Sequence, residues 1–131
     1  MKRHTVMHNY ILDLIKKFFF ISKTMEQRTK TYRSLVARIN RHIKENSWAN
    51  TPMDKWCVGV SDKPLHSMSE YQRELGMDVR CFAVYYAYSI KIALLVKDHF
   101  LSKGLTKATD LCGNSENCRW VYLYMSPFLT L

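Results

Sequence analysis

The spacing of hydrophobic positions changes several times along this chain, and each change marks an element. Tyr32, Leu35, Val36, Ile39 and Ile43 recur at helical spacing, predicting a helix from Thr31 to about Asn46. Upstream, Ile11, Leu14, Ile15 and Phe18 share one face of a shorter basic amphipathic helix within Asn9–Ile21. Asn46 to Pro52 reads as a loop, because Pro52 opposes continuation of a helix. Trp56 to Val60 is rich in β-favouring residues and predicts a first strand. Gly59 inside it signals close approach of another backbone or of a ligand. Asp62-Lys63-Pro64 makes a turn. Ser67 and Glu70 have capping-box spacing and Gly76 supplies a stop, which predicts a short helix from Leu65 to Leu75. Val79 to Tyr86 is apolar on both faces and is expected as a central second strand. Ser89 caps a helix through Lys103, with Gly104 ending it. Leu105 to Asn117 reads as an irregular loop, and Arg119 to Tyr124 as a third strand. The expected fold class is α/β (α+β), a small three-stranded sheet flanked by helices.

The 131 residues suffice for one domain with a real core, and 47% hydrophobic content with three prolines excludes a disordered chain. Residues 31–131 are expected to form that domain. Residues 1–30 are a basic and apolar extension or helix, which would lie on a membrane, dock on a partner or pack on the core. Met25 is an alternative start, which would make the stretch before it non-native. The best apolar span, Tyr10 to Ser22, carries Asp13, Lys16 and Lys17 in its middle. Those charges exclude a transmembrane span and make a poor secretory leader, so the expected location is cytoplasmic.

The formal charge is +9, which favours anionic partners, nucleic acid first and an anionic membrane surface second. Residues 1–24 hold five Lys/Arg against one Asp, so part of that charge lies outside the domain. Arg33, Arg38, Arg41 and Lys44 line the polar face of the 31–46 helix, a phosphate-tracking surface or an ordinary solvated face. Tyr85, Tyr86, Tyr88, Trp120, Tyr122 and Tyr124 would either stack on bases or fill the core, according to which of them are exposed. Four cysteines without a leader are expected as reduced thiols. Cys112 and Cys118 flank a five-residue loop and would hold zinc with His66 or His99, or remain free or occasionally oxidised thiols.

The stretch from Trp56 to Tyr124 resembles a small GIY-YIG-type nuclease domain. The resemblance rests on Trp56, Val58, Gly59 and Pro64, then Ala93, His99-Phe100-Leu101, Lys103-Gly104, and Val121-Tyr122, in that order. It implies a small sheet carrying two tyrosines, a helix arginine and a helix glutamate that holds a divalent metal. This chain departs at the positions that matter for hydrolysis. Cys57 stands where a tyrosine is expected. Leu65, His66 and Ser67 replace the arginines after Pro64, and Lys97 replaces the glutamate. Metal-assisted phosphodiester hydrolysis needs an anionic oxygen ligand and cationic help at the phosphate; a lysine would repel the metal.

The resemblance therefore implies a catalytically degenerate GIY-YIG-like domain that binds nucleic acid without cutting it. The degenerate cleft would comprise Cys57, Gly59, His66, Lys97 and Tyr122. Arg38, Arg41, Lys63, Arg73, Arg80, Lys91 and Arg119 would contact phosphates, with Lys97 alongside. No metal or cofactor is expected. One alternative is a protein-interaction or accessory module of a phage or mobile element. Another is a nuclease using Mg²⁺ or Mn²⁺ on an altered ligand set drawn from Asp62, Glu70, Glu74 and Asp98.

Overall fold

The computed structural model describes residues 2–63, 73, 80–113 and 115–126. The predicted helix from Leu65 to Leu75, with His66, Glu70 and Glu74, lies outside the described residues apart from Arg73, which is helical and exposed. Helix α1 (Lys2–Asn46) runs without a break through both predicted helical stretches. Met1–Thr31 forms one compact unit and Tyr32–Leu131 the other.

In the second unit the strands are β1 (Trp56–Ser61), β2 (Arg80–Tyr86), β3 (Thr106–Lys107) and β4 (Trp120–Met125). Helix α2 (Ile90–Ser102) lies between β2 and β3 in sequence. The fold is α+β, with a mixed sheet in the order β2-β4-β1-β3. This corrects the expected three-stranded sheet. Segment β3 sits inside the stretch read as a loop, pairing in parallel with β1 through Cys57–Thr106 and Val58–Lys107. Two residues carry no alternation, so the sequence pattern has nothing to register. It also corrects the position of β2, which is an outer strand and pairs only with β4 among the described strands. Apolar residues on both faces of β2 reflect cover on both sides of the sheet and not a central position.

Both faces of the sheet bury side chains. On one face, Trp56, Val58 and Val60 of β1 and Val121 and Leu123 of β4 pack with Leu35, Ile39 and Ile43 of α1. Ile92, Ala93, Val96 and Phe100 of α2 complete this main core. Helix α2 starts where its cap predicts, with Ser89 accepting from the Ile92 amide at 3.1 Å. It stops at Gly104, whose φ of 104° suits glycine. On the other face, Cys57, Tyr122 and Tyr124 cluster with Ala108, Phe82, Val84 and Leu111.

The β2–β4 register slips between Arg80 and Ala83, and Cys81 takes a positive φ of 52° there. His42 Nε2 lies 2.6 Å from the Cys81 carbonyl oxygen, and since a carbonyl only accepts, Nε2 carries the hydrogen. The same imidazole packs edge-on to Trp56, ring centres 5.6 Å apart. Trp56 Nε1 in turn donates to Ser47 Oγ. The bulge, the end of α1 and the start of β1 are thus tied together by one histidine and one tryptophan.

A filled cleft and a candidate nucleic-acid interface

Antiparallel pairing of β1 with β4 sets Cys57 opposite Tyr124 and Gly59 opposite Tyr122. Three members of the expected cleft, Cys57, Gly59 and Tyr122, therefore do meet. They meet as packing. A Cβ on Gly59 would fall 2.6 Å from the Tyr122 ring, so the close approach that Gly59 signals is made by a side chain. Tyr122 is fully buried, its hydroxyl donates to the Thr109 carbonyl, and its ring stacks on Tyr124 and on Phe82. Burial pushes the Cys57 thiol up, against a smaller opposing effect of its hydrogen bond with Tyr124. Burial first, then the neighbouring Cys57, push the Tyr124 phenol up to about 12. At neutral pH neither group supplies an anion, so this pair offers neither a thiolate nucleophile nor a phenolate ligand.

Lys97 corrects the expectation that it contacts phosphate. Its side chain is only 8% exposed, and its Nζ lies 2.9 Å from Asp110 Oδ2 and 3.2 Å from Oδ1. Asp110 Oδ1 also accepts from the Val60 amide at 3.4 Å, so the carboxylate joins α2 to the edge of β1. Asp110 lies in a stretch without periodic signal, so no pattern in the sequence marks it as the partner of Lys97. The helix thus carries the cation of this pair, and a loop supplies the carboxylate. Asp98 is exposed, while Asp62 Oδ2 accepts from the Gly113 amide. Among the described residues no three His, Cys, Asp or Glu side chains converge as metal ligands.

Of the alternatives for Cys112 and Cys118, the oxidised one holds, which corrects the expectation of four reduced thiols. Cys112 and Cys118 form a disulfide, so they are not a thiolate pair for zinc, while Cys57 and Cys81 are free. His99 is half-buried on α2, edge-on to Tyr32 and Phe100.

The aromatic set divides cleanly by exposure. Tyr85, Tyr122 and Tyr124 are buried, Tyr86 and Trp120 are half-buried, and Tyr88 is 66% exposed. The three accessible rings adjoin one another. Tyr86 and Trp120 face each other across β2 and β4 with ring centres 4.7 Å apart, and Tyr88 lies 4.6 Å from Tyr86. Tyr88 has φ of 66°, a conformation that costs a bulky residue on the order of 1 kcal/mol or more. That backbone is fixed on one side by the Ala87 amide donating to the Arg119 carbonyl, and on the other by the Ser89 cap of α2.

Several predicted phosphate-contacting residues gather at this end of the sheet. Arg119 precedes Trp120, Lys91 lies in the first turn of α2, and Lys63 follows Ser61, which pairs with Trp120; all three are exposed. The start of α2 adds the positive end of a helix dipole. Arg80 stands at the other end of the sheet, where it pairs with Met125, and Trp56, whose indole binds Ser47 next to the 86% exposed Trp48, also pairs with Met125. Arg38 and Arg41 are exposed on α1, with the Arg38 guanidinium 5.1 Å from the centre of the Tyr85 ring. Arg73 is exposed, and its neighbours lie outside the described residues. No protein-family model matches the chain, and no curated protein or solved structure shows significant similarity to it.

Proposed function

We propose that this protein is a nucleic-acid-binding protein whose GIY-YIG-like frame has lost its hydrolytic groups, and that single strands are its preferred ligand. The observation that carries this reading is the contiguous, accessible row Tyr88–Tyr86–Trp120, with exposed Lys63, Lys91 and Arg119 near it in sequence or strand register. Aromatic faces that take stacked bases, next to cations that take phosphates, form the recurrent platform for single-stranded nucleic acid. Loss of hydrolysis is supported by the packed state of Cys57, Gly59 and Tyr122 and by the pairing of Lys97 with Asp110. A duplex offers its bases only at groove edges, so a stacking row of this kind favours single strands.

The test is fluorescence anisotropy on labelled single- and double-stranded DNA and RNA, across a salt series, with Mg²⁺, Mn²⁺ or EDTA. Salt-sensitive binding that favours single strands, without cleavage, is expected. Tyr88→Ala and Trp120→Ala should each weaken it by about 1–3 kcal/mol. Lys91→Ala and Arg119→Ala should each reduce the slope of log affinity against log salt by about one. Metal-dependent cutting would overturn the degenerate reading. Binding unaffected by all four substitutions would remove this end of the sheet as the interface.

A further inference from the structure

We infer that residues 10–25 of α1 form an interfacial helix that lies in the plane of an anionic lipid bilayer. Every large apolar residue from Tyr10 to Ile21, and Met25 beyond it, is between 40% and 72% exposed. At about 100° per residue, the apolar side chains from Tyr10 round to Leu12 fill an arc of roughly 200°. A helix packing on one neighbour buries a stripe about half that wide. Two residues depart from the pattern: Phe20, within the polar sector, and Ser22, within the apolar arc.

The charges choose the occupant. Lys17 lies roughly 20° outside one margin of the arc, and Lys23 and Lys16 lie roughly 20° and 40° outside the other. All three are exposed, and Asp13 is the one acid in the segment. Lysines on both shoulders of a wide apolar face can extend their ammonium groups to lipid phosphates while their stems follow the acyl region. Phe18 and Phe19 add aromatic bulk to the apolar side, at 70% and 62% exposure. The segment is about 24 Å long, shorter than a bilayer core. No described helix is long and apolar enough to cross a membrane, so the segment suits the surface and not a crossing. A second copy of the helix is a poorer fit, since three lysines to one aspartate would set like charges along the seam.

The test is flotation of the full chain with vesicles of phosphatidylcholine alone and of phosphatidylcholine with phosphatidylserine, at low and high salt. Binding is expected to the anionic vesicles and to fall with salt. The triple substitution Lys16→Glu/Lys17→Glu/Lys23→Glu should weaken it on the order of a hundredfold or more, since each lysine near the surface contributes about fivefold. Ile15→Glu/Phe19→Glu should weaken it at least tenfold while leaving the melting of the Tyr32–Leu131 unit and nucleic-acid binding unchanged. The inference is overturned by absence of flotation, by equal flotation on neutral vesicles, or by flotation that both variants leave intact. It is also overturned if, without lipid, the chain self-associates and Ile15→Glu/Phe19→Glu disperses it, because the face is then covered by a second copy.

Discussion

Gly59→Ala adds one methyl group to β1, and its consequence separates a packed sheet from a ligand cleft. The new Cβ would lie 2.6 Å from Tyr122 Cε1 and Cζ and 2.7 Å from its hydroxyl oxygen. Ordinary carbon contacts lie at about 3.5–4.0 Å, so the ring has to retreat by about 1 Å. It has nowhere to go. Tyr122 is fully buried between Phe82 and Tyr124, and its hydroxyl is anchored on Thr109. Overpacking of this kind costs about 1–3 kcal/mol, and loss of the Thr109 bond about 1 more. Urea unfolding should therefore show Gly59→Ala destabilised by about 2–4 kcal/mol. Tyr122→Phe removes the same hydrogen bond, so the double variant should be less destabilised than the sum by about 1 kcal/mol. A Gly59→Ala protein within about 0.5 kcal/mol of the parent would refute the reasoning. So would a variant of unchanged stability that loses nucleic-acid affinity, because the glycine would then face a ligand.

Three further outcomes follow from the same sheet and its surroundings. Asp110→Ala leaves the ammonium of Lys97 buried without its carboxylate and should cost about 2 kcal/mol or more, whereas Lys97→Met should cost less, because the Asp110 side chain is 36% exposed and can be hydrated; urea midpoints in the opposite order would break this account. Cys112→Ser should destabilise by about 2 kcal/mol, the value for closing so short a loop, and dithiothreitol should lower the parent's melting temperature but not the variant's. The proton-bound forms of Cys57 and Tyr124 are favoured by folding, so their stabilisation is whole below the usual thiol value and is lost as pH climbs through about 12. Urea midpoints taken from pH 8 upward should decline over that window, with the upper part of the decline absent in Tyr124→Phe.

Elements with strong local signals were legible in the chain. The run Trp56–Val60 fixes β1 to within one residue, and Ser89 and Gly104 bracket α2 because a side-chain cap and a positive φ leave their own residue types. Strand β3 was not legible, since Thr106 and Lys107 are held by the neighbouring β1 and not by their own preference. The sense of Gly59 was half legible: close approach follows from the residue type, but that a tyrosine ring makes it depends on β1 pairing with β4. Lys97 shows the same limit. A cation on an apolar helix can be read from spacing, but its partner Asp110 belongs to a loop brought alongside by tertiary packing. For the aromatics, alternation names the candidates, and only exposure separates Tyr88 from Tyr122.

The bulge in β2 has a consequence for how copies of this protein behave in concentrated solution. The described strands end in β2 on one side of the sheet and in the two-residue β3 on the other. A long flat edge invites a strand from another molecule to add on, which is the first step of polymerisation. Here one border is too short to template anything. The other is kinked where Cys81 turns to positive φ, its carbonyl taken by His42, and begins with the exposed charge of Arg80. The histidine that ties α1 to the sheet thereby also guards that border against strand-by-strand growth.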